Sequence, residues 1–81
     1  MEQVKSVEYD LYGIPMDGFV KLIKTYPDMN SGILAFDYVE KTGKMRAAFL
    51  DERIEYGNNT RSVTNVKKWR KRANQTKGQS R

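Results

Sequence analysis

The chain has 81 residues, of which 15 are Lys or Arg, 10 are Asp or Glu, and none is Cys or His, for a formal net charge of +5. This length allows one hydrophobic core and excludes two independent domains. The missing thiols and imidazoles exclude disulfides, cysteine or histidine metal sites, cysteine nucleophiles and histidine bases.

The charge is segregated along the chain. Residues 1–56 carry seven basic and ten acidic side chains, whereas residues 57–81 carry eight basic side chains and no acid. A basic segment set against an acidic remainder points to an anionic partner, most often nucleic acid. The segment Met1-Glu2-Gln3-Val4-Lys5 has no signal-peptide pattern, and no apolar run approaches the ~20 residues of a membrane span. The expectation is a soluble cytoplasmic protein, nuclear if its host is eukaryotic or viral, with no membrane partner.

Val7, Tyr9 and Leu11 alternate with Ser6, Glu8 and Asp10, so residues 4–12 are predicted to form a half-buried strand. Gly13 interrupts the pattern, and Pro15 suits the first turn of a helix. Met16, Phe19, Val20, Ile23 and Tyr26 then recur at helical spacing, which predicts a helix over 15–26 stopped by Pro27. Asp28, Asn30, Ser31 and Gly32 read as a turn.

Residues 33–40 and 45–54 read as the two arms of a β-hairpin joined by Lys41-Thr42-Gly43-Lys44, with Leu34, Phe36 and Tyr38 on one face. Tyr56-Gly57-Asn58-Asn59-Thr60 reads as a loop. A helix over 62–74, capped by Thr60 or Ser62, would put Val63, Val66, Trp69 and Ala73 on one face. Lys67, Lys68, Lys71 and Arg72 would lie on the opposite arc. Residues 75–81 lack a large apolar side chain and read as a disordered tail. The predicted fold class is therefore α+β, a small single domain in the order strand, helix, strand, strand, helix. Its parts are a body over 1–61 with a central hairpin, a basic amphipathic helix over 62–74 packed on or extending from that body, and the tail.

Catalysis would fall to carboxylates, with Asp28, Asp37, Glu40 and the cluster Asp51, Glu52 and Glu55 as candidates. Pro27-Asp28 resembles the first element of restriction-nuclease-like sites, but none of the ten acids is followed two positions later by lysine. Gly-x-Gly-x-x-Gly, the Gly-x-x-x-x-Gly-Lys phosphate loop and the Asp-x-Asp-x-Asp-Gly calcium loop are absent from the sequence. The chain is accordingly expected to be a binding protein rather than an enzyme, with no cofactor and no metal.

Arg61, Lys67, Lys68, Arg70, Lys71, Arg72, Lys77 and Arg81 form the strongest functional signal. Cations arrayed along one helix face displace counterions condensed on DNA or RNA, and arginine adds a planar fork that matches phosphate. The expected function is that of a small accessory nucleic-acid-binding protein contacting the phosphate backbone, of a kind that suits a phage or mobile-element regulator. Trp69 reads as the anchor of the helix on the body, given its place beside Val63 and Val66. Lys67-Lys68-Trp69-Arg70 also fits a nuclear-import signal.

The alternative is a protein-interaction module, a small inhibitor or adaptor. It would dock another protein on the hairpin edge or on an acidic face made of Asp51, Glu52 and Glu55. In that case the basic segment serves solubility, and the acids discourage edge pairing of the return strand.

Overall fold

A computed structural model describes residues 3–71. Strand β1 (Val4–Pro15) is followed by β2 (Lys21–Tyr26), helix α1 (Met29–Thr42), β3 (Met45–Tyr56) and β4 (Arg61–Arg70). The strands form one antiparallel sheet in the order β2-β1-β3-β4. The described residues thus form a small α+β domain of ββαββ order, with one helix on one face of the sheet.

The period-two pattern of β1 holds and runs on to Pro15. Tyr9 and Leu11 face the helix and are buried, and the register places Leu50 opposite Leu11 and Ala48 opposite Gly13. These residues and Phe36 make the core, with Val7, Tyr26, Ile33, Ala35, Val39, Val66 and Trp69 packed around it.

The helix expected over 15–26 does not form. After a turn, residues 21–26 pair with β1 from Tyr9↔Tyr26 to Gly13↔Lys21. The apolar series in this segment is not a core face: Phe19 is 91 % exposed, and Met16, Val20 and Leu22 are also exposed. Gly18 disfavours a helix here, and β-branched Val20, Ile23 and Thr25 are suited to a strand. Pairing along the free edge of β1 satisfies backbone groups that a helix at this place would leave exposed.

The first arm of the expected hairpin is instead α1. Asp28 is its N-cap: its carboxylate accepts from the Ser31 backbone N–H at 3.0 Å and from the Ser31 hydroxyl at 2.8 Å. These bonds hold the Asp28 carboxyl below its ordinary pKa. Gly43 ends the helix in the left-handed conformation at φ 66°, its N–H donating to the Val39 carbonyl. Lys41-Thr42-Gly43-Lys44 is therefore a helix stop and not a hairpin turn. Ile33, Phe36 and Val39 point to the sheet, while Leu34 and Tyr38 are 71 % and 69 % exposed, so the three residues assigned to one strand face are divided.

Gly32 lets the helix lie close to the sheet, since a Cβ there would be 3.1 Å from Leu50 Cδ1 and 3.3 Å from Tyr9 Cβ. Gly43 has no such neighbours; only Lys71 Nζ lies near, at 3.9 Å. Gly43→Ala should cost about 1–2 kcal/mol through the left-handed backbone alone. A shift of the urea midpoint with an unchanged slope checks this.

The return strand forms as read and extends to Tyr56. Residues 57–60 are a loop, as read, but they join β3 to β4 and do not precede a helix. Asn59 takes a positive φ of 67°, and the Tyr56 N–H donates to the Thr60 carbonyl at 2.9 Å. The described residues contain no C-terminal helix: residues 61–70 pair with β3 from Glu55↔Arg61 to Ala47↔Arg70. Val63, Thr64 and Val66 give this segment β-branched character that a strand accommodates better than a helix. Val66 and Trp69 pack against the core, whereas Val63 is exposed. The expected helix residues 72–74 and the tail over 75–81 lie outside the described residues.

Candidate nucleic-acid interface

With α1 on one face, no described element covers the other. The strand registers set its side chains in rows across the sheet. One end carries Glu8, Asp10, Asp51, Arg53, Glu55 and Arg61, and the other carries Tyr12, Ile14, Ala47, Phe49, Lys68 and Arg70.

The first end is closed on itself. Arg53 grips Asp10 with both arms of its guanidinium, Nε to Oδ2 at 2.9 Å and Nη2 to Oδ1 at 3.2 Å. The remaining donors reach Glu8 at 3.0 Å and Glu55, and the Thr25 hydroxyl donates to Asp10 Oδ1 at 2.7 Å. The Asp10 side chain is only 8 % exposed. Hydrogen bonding from Arg53, reinforced by Thr25, outweighs burial and lowers the Asp10 pKa, and Asp10, joined by Glu55 and Glu8, raises that of Arg53. Such a bidentate, mutually satisfied network has few donors left for a ligand.

The second end differs in kind. Tyr12 and Phe49 stack with centroids 5.0 Å apart and planes 22° from parallel. Lys68 is paired with Phe49, and Arg70 with Ala47. Neither cation has an ion-pair partner among the described residues. Beside them is a groove of about 770 Å³ lined by Ile14, Ala47, Phe49, Arg46, Lys68 and Arg70, with no acid among its described lining residues. Arg46 sits at the bulge near Ile14 and Pro15, its Nε donating to the Pro15 carbonyl at 3.1 Å and Nη2 to that of Gly18 at 3.3 Å. Its charge is held at the groove by carbonyls and is not neutralised by a carboxylate.

The basic residues singled out in the sequence are thus dispersed. Lys68 and Arg70 come together. Arg61 lies at the opposite end, 3.4 Å from Glu55. Lys67 turns to the helix face, 3.1 Å from Asp37 and over the Phe36 ring at 5.2 Å, so it covers the core. Lys71 donates to the Gly43 carbonyl at 3.1 Å, at the C-terminus of α1, where a cation complements the helix dipole. Arg72, Lys77 and Arg81 lie outside the described residues.

The three acids considered for protein docking do not make one face. Glu52 is on the helix side, where its carboxylate accepts from the Tyr9 hydroxyl at 2.9 Å; that bond and burial raise the Tyr9 pKa. Asp51 accepts from Asn65 at 3.0 Å, and Glu55 is held by Arg53 and Arg61. Asn65 also donates to the carbonyls of Leu50 and Lys67, filling the break in the β3–β4 ladder at Leu50/Asp51.

Among the described residues no group of three or more Asp or Glu side chains could hold a metal ion, and no helix is long and apolar enough to cross a membrane. No family model matches the chain, and no curated protein or solved structure matches it.

Proposed function

We propose that this chain binds nucleic acid at the cationic end of its uncovered sheet face, with phosphates taken by Lys68, Arg70 and Arg46. One observation supports this most: the exposed Lys68 and Arg70 stand together beside half-buried ring and aliphatic groups, with no carboxylate among the described residues of the groove they border. The network around Arg53 pairs Glu8, Asp10 and Glu55 with its own arginine, so these three acids on the same sheet face oppose a polyanion at the other end less. Contacts of this kind position a phosphate backbone and carry little base specificity. The binding element is a sheet face with an edge strand. Residues 72–81, with Arg72, Lys77 and Arg81, add cations that continue from it in sequence.

Titration of a labelled oligonucleotide tests the reading. Neutralising about five phosphates implies an affinity loss of ~10² to 10³ between about 50 and 200 mM salt. Lys68→Ala with Arg70→Ala should weaken binding on the order of tenfold per cation near 0.1 M salt and flatten the salt slope by about two. Unchanged binding by the double variant contradicts the assignment.

A second reading, docking of another protein, is favoured by a separate observation. Phe19, Val20 and Leu22 are exposed together at the β1–β2 turn and on the edge strand β2. An apolar patch beside an unpaired strand edge suits strand addition by a partner. Such binding would change little with salt and would ignore Lys68 and Arg70.

A further inference from the structure

We infer that the nucleic acid taken at this site is single-stranded, and that one of its bases stacks on the face of Phe49 turned away from Tyr12. This deepens the nucleic-acid reading above and rests on it. Tyr12 and Phe49 are paired across the two central strands, and their near-parallel rings each cover one face of the other. Phe49 lines the groove and Tyr12 does not, and the neighbour of Phe49 on the strand away from Tyr12 is Lys68, which also lines the groove.

The groove, at about 770 Å³, falls in the range of small-ligand sites. Ile14 and Ala47 give it an apolar lining, and Arg46, Lys68 and Arg70 edge it with positive charge. An unstacked nucleotide asks for this combination. Its base gains from a ring face, and the flanking phosphates gain from cations one side chain away. A duplex keeps its bases within its own stack and presents phosphates to such a surface, so the ring would add nothing to duplex binding.

The stacking also explains a feature that a purely electrostatic site would not need. Phe49 sits on an uncovered sheet face between Tyr12 and Lys68, where a polar residue would keep the strand soluble at lower risk. The ring is supported from one side by Tyr12, which fixes its orientation before a base arrives.

The test titrates the full chain with DNA and RNA strands of about 12 nucleotides and with the matching DNA duplex. Tighter binding of the strands is expected, and comparing the DNA and RNA arms shows which of the two is preferred. Phe49→Leu, which keeps apolar volume and removes the ring, should weaken strand binding by ~5- to ~150-fold while leaving duplex binding and the salt slope unchanged. Equal binding of strand and duplex, with Phe49→Leu indistinguishable from wild type, overturns the stacking and leaves the phosphate contacts intact. No binding of any of the three at about 50 mM salt overturns the nucleic-acid reading itself. Should Phe49→Leu fail to fold, photocrosslinking of the wild-type chain to a 5-iodouridine strand decides. A crosslink at Phe49 supports the inference, and crosslinks confined to residues outside the groove overturn it.

Discussion

Phe36→Ala is expected to lower folding stability by about 3–5 kcal/mol, the largest loss for any single truncation considered. Phe36 is 1 % exposed and projects from the middle of α1 into the cluster of Tyr9, Leu11, Ala48 and Leu50. Among the described residues one helix covers that face, and none of their other elements lies over it to fill the space. A domain of this size has on the order of 4–12 kcal/mol in all, which leaves the variant near the edge of folding. Tyr38→Ala is the matched control: on the outer face of the same helix, it should stay within about 0.5 kcal/mol of wild type. Urea denaturation of the two variants checks both the core and the helix assignment, because a strand at this segment would put both rings on one side.

Arg53→Ala carries the second-largest expected effect, about 2–4 kcal/mol at pH 7, because it strands the nearly buried Asp10 carboxylate without its partner. The figure is set below the full cost of breaking a buried pair because Glu8 and Glu55 remain partly in solvent. The loss depends on pH. Arg53 holds the Asp10 pKa below its ordinary 3.8 in the folded chain. The stabilisation is therefore complete above that value and disappears as pH falls through the lower folded-state value. The difference between wild type and Arg53→Ala should be full at neutral pH and narrow below about pH 4. Midpoints from thermal unfolding at several pH values measure this, and a difference independent of pH would show that the loss is one of packing.

Two strands were legible in the sequence because their patterns reflect burial on one side only. Val7, Tyr9 and Leu11 alternate with polar residues in β1, and β3 has a similar mixture. The segments between them carry local signals that support two readings. Thr42-Gly43 ends a helix as readily as it turns a hairpin, and Asp28 with Ser31 makes an N-cap as readily as a loop. The decision comes from tertiary structure: α1 must cover the sheet, and β2 must pair with the edge of β1.

Met16 to Tyr26 mimicked a helical stripe because several of its apolar residues face solvent and so obey no burial rule. Lys67, Lys68, Lys71 and Arg72 suggested a basic helix face, yet strand alternation in β4 sends Lys67 to the core side and Lys68 to the open side. Lys68 and Arg70 were identifiable from charge alone. Tyr12, Phe49 and Arg46 were not, because they meet the cations only through the β1–β3–β4 register, across sequence separations that no local pattern spans. The surviving clue is that Tyr12 and Phe49 fall out of phase with the buried Leu11 and Leu50, which placed each ring on the far face once both segments were strands.

Amide chemical-shift mapping of the full chain titrated with a short single-stranded oligonucleotide tests the central claim most directly. Shifts concentrated at Tyr12, Ala47, Phe49, Lys68 and Arg70, with the Arg53 network quiet, are the expected result. Shifts confined to the Phe19 turn and β2, or none at all in low salt, would contradict it.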